Sequence, residues 1–263
     1  MQVVILDDPE SVAEFAARRI AHVIAVAASR GRAGAIGVAT GSSPLGTYRH
    51  LADLAAAGQL DLAHVSAFAL DEYVGLPYDH PESYHAVIAR TVTEPLGLDP
   101  ALVHVPDGAA TDPQAACARY EELIRGAGGI DIQLLGIGAN GHIGFNEPTS
   151  SLTSRTRIKT LAQRTREDNA RFFDSPDQVP IHCITQGLGT IADAGQALLV
   201  ATGGSKAAAV AAMVEGPVTS MCPASVLQMH PHATVVVDDE AASRLTMRDY
   251  YQDVFRRLPG TDR

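Results

Sequence analysis

Residues 132–138 read Ile132-Gln133-Leu134-Leu135-Gly136-Ile137-Gly138, and this stretch decides the fold. A nearly continuous apolar run of this length is typical of a strand that is buried on both faces. The glycines that follow allow the backbone to turn tightly at the strand end. The stretch therefore predicts an interior strand of a parallel sheet, followed at once by an irregular loop.

The same pattern recurs along the chain, where short apolar runs alternate with alanine-rich segments of helical length. Such alternation predicts an α/β fold with a doubly wound, mostly parallel sheet and helices on both faces. The predicted strands are 35–39, 65–70, 102–105, 132–137, 197–201 and 234–237. The predicted helices are 9–29, 44–57, 81–91, 112–125, 205–214 and 240–257.

Composition narrows the class of protein. The 263 residues suit one α/β domain, which we expect to span 1–263. A formal net charge of −10 argues against nucleic acid or an anionic membrane as the main partner. The three cysteines (Cys117, Cys183 and Cys222) are odd in number and form no C-x-x-C pair, which fits a reducing compartment. Because neither a signal peptide nor a long apolar run is recognisable, we expect a cytoplasmic protein.

Ligands of open α/β sheets bind at the carboxyl ends of the strands, and four predicted strand ends carry unusual residues. The first end reads Thr40-Gly41-Ser42-Ser43-Pro44. Here Ser43 suits a helix N-cap and Pro44 a first helical residue, so hydroxyls and free N–H groups would form a cradle for an anion. An ordinary capped loop explains the same residues equally well.

The second end places Asp71 and Glu72 after an apolar strand. A carboxylate at such an edge is partly desolvated, which raises its pKa and makes it a usable base. A helix cap or a solvated loop acid is the simpler alternative for an isolated aspartate.

The third end, residues 136–148, contains a G-x-G-x-x-G pattern, which invites a dinucleotide-binding interpretation. That motif must open a helix, whereas Gly144, Asn146 and Pro148 resist one. The glycines instead present His142 and Glu147 in an irregular loop. An imidazole beside a carboxylate is a proton-transfer pair, so we expect catalysis here.

The fourth end, residues 202–206, repeats the glycine turn and adds Lys206, a point charge suited to phosphate. An exposed lysine at a helix start is the alternative. His80 and His85 lie off the same-face spacing of a helix, and neither a H-E-x-x-H motif nor a Cys/His cluster occurs, so we expect no metal.

Taken together, these blocks resemble glucosamine-6-phosphate deaminases over nearly the full length of the chain. The matching blocks are residues 40–44, 70–76, 80–84, 140–148, 154–160, 171–173 and 204–206. The resemblance implies a Rossmann-like fold with a mobile lid at roughly residues 160–185. It also implies a hydrolase without metal or organic cofactor, which converts D-glucosamine 6-phosphate to D-fructose 6-phosphate and ammonia in aminosugar catabolism.

The resemblance also implies roles for individual residues. His142 resembles the family's ring-opening acid/base, Glu147 its supporting partner, and Asp71 the base that moves a proton from C2 to C1. Many members carry an aspartate where this chain has Asn140, which can hydrogen-bond the imidazole but carries no charge. The substrate phosphate is expected on Thr40, Gly41, Ser42, Ser43, Arg171 and Lys206.

Regulation is the last implication. In allosteric, hexameric members, the segment corresponding to Ser150, Ser151, Arg157 and Lys159 binds N-acetylglucosamine 6-phosphate at subunit contacts. Two cations near hydroxyls suit a second phosphate, although a solvated basic loop is the plain alternative. The resemblance thus implies a homo-oligomer, a hexamer, with a possible allosteric effector.

Two other functions stay open as alternatives. A 6-phosphogluconolactonase has a similar fold, but it typically shows a Gly-His followed by a Thr/Ser-rich segment rather than residues 143–147 of this chain. A sugar-phosphate-sensing domain of a regulator would need a helix-turn-helix extension, for which the sequence shows no pattern.

Overall fold

The computed structural model describes residues 1–173 and 175–257, and its centre is a seven-stranded sheet in which all neighbours are parallel. The described strands are β1 (Gln2–Leu6), β2 (Ala35–Val38), β3 (Ser66–Ala69), β4 (Asp71–Tyr73), β5 (Val103–His104), β6 (Ile132–Leu135), β7 (Arg157–Thr160), β8 (His182–Thr185), β9 (Ala197–Ala201) and β10 (Ala233–Asp238). The large sheet has the order β1-β10-β9-β6-β2-β3-β5, so β6 lies in its middle. The α/β fold predicted from residues 132–138 is confirmed.

Helices cover both faces of this sheet. They are α1 (Pro9–Ser29), α2 (Leu45–Ala56), α3 (Tyr84–Ile88), α4 (Glu94–Leu96), α5 (Pro113–Gly126), α6 (Gln163–Asn169), α7 (Leu188–Ala192), α8 (Ala207–Val214) and α9 (Arg248–Arg257). Successive residues of β6 face opposite sides: Leu134 packs into the core under α1 and α2, and Leu135 into the core under α7 and α8. The continuous apolar strand pattern follows from these two cores.

Gln133 is the polar exception in β6, and it is fully buried. Its Nε2 donates to the Leu134 carbonyl over 2.9 Å. Gly37 lies opposite it on β2, and a methyl group at position 37 would come within 2.0 Å of the Gln133 Oε1. Gly37 therefore provides the room that this side chain occupies.

A second, three-stranded antiparallel sheet has the order β4-β8-β7. The sequence predicted one strand over 65–70, but β3 ends at Ala69 and Asp71 begins β4, which leaves the large sheet to pair with β8. Strand β7 was not predicted, because its Arg157-Ile158-Lys159-Thr160 run carries two cations and too few apolar residues.

The helix at the chain end is shorter than predicted. The sequence favoured 240–257, whereas α9 spans Arg248–Arg257. Residues 239–247 form turns and bends instead: Asp238 accepts the Ala241 N–H over 2.8 Å, and the backbone amides of Thr246 and Met247 donate to Glu215. These carboxylates satisfy amides that a longer helix would have used, which explains the later start.

Helix α1 matches its predicted span. Asp8 caps it by accepting the Ser11 N–H over 2.7 Å, and Pro9 opens it. In the described part of the chain, no helix has the length and apolar character needed to cross a membrane. Residues 174 and 258–263, which fall in the predicted lid and at the end of the predicted domain, lie outside the described residues.

Candidate active site

A cleft of about 590 Å³ opens at the carboxyl ends of β2, β3, β6 and β9. Its wall includes both the predicted base and the predicted acid/base, Asp71 and His142. The residues predicted for phosphate all line the same cleft: Thr40, Gly41, Ser42, Ser43, Arg171 and Lys206. The structure thus brings together side chains that lie up to 166 residues apart in the sequence.

Asp71 is 5% exposed, at the start of β4. Burial, assisted by the charge of Glu72, raises the pKa of Asp71 to about 8, although a backbone hydrogen bond from Phe145 partly opposes the shift. A methyl group at Gly144 would lie 3.3 Å from the Asp71 Oδ2, so the glycine loop passes directly over this carboxylate. A buried carboxyl group with a raised pKa is a strong base once it loses its proton.

Glu72 has a different role from its neighbour. Its carboxylate accepts the N–H groups of Tyr73, Tyr84 and His85 over 2.7 to 2.9 Å. It thereby accepts free N–H groups in the first turn of α3 and fixes the start of that helix. The two adjacent acids noted in the sequence are therefore one cleft carboxylate and one structural acceptor.

The glycine loop is shaped to hold His142. A methyl group at Gly138 would lie 2.2 Å from Cε1 of the imidazole, so the ring packs directly on this glycine. Gly141 has φ +84°, a left-handed conformation that favours glycine, and its N–H bonds to the Gly138 carbonyl. Residues 139–149 contain turns and no helix, which agrees with the rejection of a dinucleotide motif.

Glu147 is held from two sides. Its Oε2 accepts Nδ2 of Asn140 over 2.7 Å and lies 3.7 Å from Nδ1 of His142, while its Oε1 accepts the Thr165 hydroxyl. Burial would raise the pKa of Glu147, but His142, Thr165 and Asn140 more than offset it and hold the pKa at about 2. The carboxylate is therefore charged at neutral pH and faces the imidazole.

Asn140 links the loop to this pair through both ends of its amide. Its Oδ1 accepts the His142 backbone N–H over 3.2 Å while its Nδ2 binds Glu147. Of the four predicted catalytic residues, Asn140, His142 and Glu147 thus contact one another, and Asp71 shares the cleft lining with His142.

The loop that spans residues 40–43 lines the cleft, with Gly41 at φ +92°. The predicted cap is wrong: α2 begins at Leu45, Pro44 takes the N-cap position, and no side chain caps the helix. Ser43 lies one residue too early for capping, because the turn that contains it is completed by the Leu45 N–H bonding to Ser42.

The glycine turn before α8 differs from that loop. The amides of Gly203 and Gly204 donate to the carboxylates of Asp238 and Glu240, so the protein's own acids take the place of an external anion. Lys206 is the member of this turn that lines the cleft.

Residues 163–173, here called the crossing segment, close one side of the cleft. They comprise α6 and the following 3₁₀ turn, which carries Arg171 with its guanidinium 4.6 Å over the Phe172 ring. The segment reaches the rest of the site through Thr165 on Glu147, through Asn169 on the Tyr73 hydroxyl at 2.8 Å, and through ring contacts of Phe173.

The four residues of the predicted effector segment lie outside the cleft lining. Arg157 is half-buried on β7 and donates to Oδ1 of Asn146 over 2.9 Å, in the loop that carries His142. Ser150 is buried with no hydrogen-bond partner for its hydroxyl, Ser151 is exposed, and Lys159 is partly exposed on β7.

Sequence reasoning missed several cleft residues, among them Tyr84, Arg90, Thr165 and Asn169. Thr165 and Asn169 lie one helical turn apart on α6, so a polar pair at this spacing within the predicted lid was the available signal. Among the described residues, no group of three or more His, Cys, Asp or Glu side chains could hold a metal ion.

Comparisons with known proteins identify the family to which the chain is similar. The model of the family described as glucosamine-6-phosphate isomerases/6-phosphogluconolactonase matches residues 7–237. A glucosamine-6-phosphate deaminase of Cutibacterium acnes is 61% identical over 252 residues, covering 96% of this chain and 95% of the relative. One of Streptomyces coelicolor is 54% identical over 260 residues and 98% of each chain.

Solved structures show the same likeness. A monomeric glucosamine-6-phosphate deaminase superposes with a TM-score of 0.89 at 42% identity, covering 93% of this chain and all of that one. The 6-phosphogluconolactonase of Trypanosoma brucei reaches a TM-score of 0.71 at 20% identity, covering 93% and 98%. The second likeness concerns the fold alone.

Proposed function

The chain belongs to the family of glucosamine-6-phosphate isomerases and 6-phosphogluconolactonases, and we propose that it converts D-glucosamine 6-phosphate to D-fructose 6-phosphate and ammonia. The observation that carries the proposal is the cleft shared by Asp71 and His142, with the Glu147 carboxylate beside the imidazole. An aldose-to-ketose conversion needs a base at C2 and a group that opens the ring, and hydrolysis of a lactone needs no base at C2.

Ring opening is the first step. His142 moves a proton between O1 and O5 of the sugar, and the charged Glu147 supports the imidazolium that forms. Asn140 keeps Glu147 beside the imidazole, and the packing on Gly138 limits where the ring can lie.

Isomerisation follows at Asp71. Its carboxylate takes the proton from C2 of the open-chain substrate while the C1 carbonyl oxygen gains a proton, which gives an enolamine. Asp71 then returns its proton to C1, and the nitrogen loses a proton that balances the one gained by O1, which leaves an imine at C2. Addition of water gives a carbinolamine, and breakage of its C–N bond expels ammonia and leaves the keto group. Burial suits Asp71 to this work, because a carboxylate with a raised pKa binds a carbon-derived proton more readily.

The phosphate anchor holds the C1–C2 edge against Asp71. Thr40, Gly41, Ser42 and Ser43 supply hydroxyls and amides, and Arg171 and Lys206 supply positive charge, all on the cleft wall. Such an anchor contributes orientation, which lowers the barrier without taking part in the chemistry.

The crossing segment acts as the lid in this proposal. The predicted span 160–185 is wider than the part that can move freely, because Arg157–Thr160 and His182–Thr185 pair with each other in the small sheet. Residues 163–173 are the ones that open and close over the substrate in this proposal.

The reaction is tested by measuring ammonia release from glucosamine 6-phosphate with purified protein and no added metal. Hydrolysis of 6-phosphoglucono-δ-lactone by the same preparation is the matched control. We expect ammonia release and no lactonase activity above background. Lactone hydrolysis without ammonia release would overturn the proposal in favour of the other branch of the family.

Regulation forms a separate part of the proposal: a hexamer activated by N-acetylglucosamine 6-phosphate through Ser150, Ser151, Arg157 and Lys159. The partnerless hydroxyl of buried Ser150 and the two cations of β7 support it. A structurally similar deaminase is described as monomeric, which argues against the hexamer. Sedimentation with and without the effector, together with initial rates, separates the two, since a monomer with unchanged rates excludes the regulatory site.

The cytoplasm is the proposed location. Cys117, Cys183 and Cys222 are all free thiols in the structure, as a reducing compartment would keep them. Cell fractionation that follows the ammonia-releasing activity tests this location.

A further inference from the structure

Thr165 makes a contact that the proposed reaction has not yet used. Thr165, in α6, is 6% exposed, and its hydroxyl donates to Oε1 of Glu147, which is itself 6% exposed. The opposite oxygen, Oε2, accepts Asn140 and faces His142. The two oxygens of one carboxylate are thus bound by donors from two separate segments of the chain.

The two contacts come from parts of the chain that differ in how they are held. Asn140 belongs to the glycine loop at the end of β6, whose turn is closed by backbone hydrogen bonds between Gly138 and both Gly141 and His142. Thr165 belongs to the crossing segment, which meets the site through side chains. Glu147 is therefore fully bound only when the crossing segment lies over the cleft.

We propose that Thr165 is a positioning residue, whose hydroxyl turns the Glu147 carboxylate so that Oε2 faces the His142 imidazole when the crossing segment closes. This inference rests on the proposed function, because it assigns to Glu147 the support of an acid/base histidine. Closure over the cleft and completion of the proton-transfer pair are then one event.

The physical reason is the freedom of an unsupported carboxylate. With Asn140 alone on Oε2, the group can rotate about its last bond while keeping that hydrogen bond. A second donor on Oε1 removes this freedom, and burial leaves no water to replace the hydroxyl. A hydrogen bond to a buried charge is among the stronger ones, so its loss is measurable.

The test compares Thr165→Val, which keeps the shape of the side chain, with Thr165→Ser, which keeps the hydroxyl. We expect Thr165→Val to lower kcat for ammonia release about tenfold with KM changed less than about twofold. We expect Thr165→Ser to retain kcat within about twofold of the wild type. Equal kcat values in the valine and serine variants overturn the inference.

Asn169→Ala is the matched control, because Asn169 also ties the crossing segment down but bonds to Tyr73 instead of Glu147. It should raise KM more than it lowers kcat. A double-mutant cycle adds the direct evidence: in a Glu147→Gln background, Thr165→Val should cost less than about twofold in kcat. The same cost in both backgrounds would mean that Thr165 only holds the segment, and the inference would fail.

A readout without turnover separates this inference from the proposed reaction. Carbon-13 NMR of the Glu147 carboxyl should show a higher pKa in Thr165→Val than in the wild type, because a donor to the charged form is gone, and no change in Asn169→Ala. If the Glu147 pKa differs between wild type and Thr165→Val as expected but the wild type releases no ammonia, only the proposed reaction is refuted. An unchanged Glu147 titration in Thr165→Val refutes the positioning role.

Discussion

The cleft has two walls that differ in how they are built. One consists of Asp71 and the His142 loop, held by strand pairing, backbone hydrogen bonds and close packing on glycines. The other is the crossing segment, which reaches the site through a hydroxyl, an amide and an aromatic ring. In the proposed reaction this difference divides the work: the first wall holds the reacting groups in fixed positions, and the second makes contacts that break and re-form when the crossing segment opens and closes.

Removing the base of the fixed wall should have the largest effect. Asp71→Asn keeps the shape of the side chain but cannot accept the C2 proton, so we expect kcat to fall by at least about a thousandfold. Binding of fructose 6-phosphate, measured by calorimetry, should persist, because the phosphate anchor is untouched. If solvent exchange of the C2 proton continued at the wild-type rate, another residue would have to be the base.

Moving the imidazole without removing it should have the next largest effect. In Gly138→Ala the new methyl group meets the His142 ring at 2.2 Å, so the ring must shift, and we expect kcat to fall about a hundredfold. Gly126→Ala is the control, since a methyl group there meets nothing within 4 Å. Circular dichroism should show both variants folded; equal activities would show that the packing on Gly138 does not position the ring.

The pH dependence of kcat/KM tests whether Asp71 is the ionising group of the fixed wall. The reactive form of Asp71 is deprotonated, and its pKa is about 8, so kcat/KM should rise about tenfold between pH 7 and pH 9. In Glu72→Gln the midpoint should move to lower pH, because a neighbouring negative charge that disfavours ionisation is gone. A midpoint that stays in place in this variant would assign the titration to the substrate instead.

The smallest effect is expected from the second wall. Phe173 packs edge-on against Tyr73 and stacks on His80, each at 5.9 Å between ring centres. Phe173→Ala removes both contacts and should raise KM roughly three- to tenfold with little change in kcat. A kcat loss as large as that of Gly138→Ala would show that the two walls do not divide the work as proposed.

The contrast also explains what the sequence could predict. The parallel sheet, helix α1 and the strand-end loops follow from apolar periodicity and from glycine placement, both of which are local signals. The grouping of Asp71 with His142 followed from the rule that strand ends meet at one edge, although Asp71 begins a separate antiparallel strand. The strand-end position of Asp71 already suggested a usable base, whereas its action at C2 and the role of Arg171 came only from the family resemblance.

Other features depend on contacts between distant segments. Strand β7 becomes a strand because β8 pairs with it, and no property of its four residues requires that. Serine is often found at helix N-caps, which is why Ser43 was predicted as one, yet the chain makes a turn there and the helix starts at Leu45. Thr165 is an ordinary polar residue of a short helix until Glu147, 18 positions earlier, lies beside it.

The buried Gln133 in the central strand has a consequence for how this protein can vary over evolution. Its amide fills the space left by the absent side chain of Gly37 on the next strand, so a side chain at position 37 requires a smaller residue at position 133. Related chains should therefore show paired changes, with a larger residue at 37 accompanied by a smaller, apolar one at 133. Such covariation would mark a constraint on the middle of the sheet that is unrelated to catalysis.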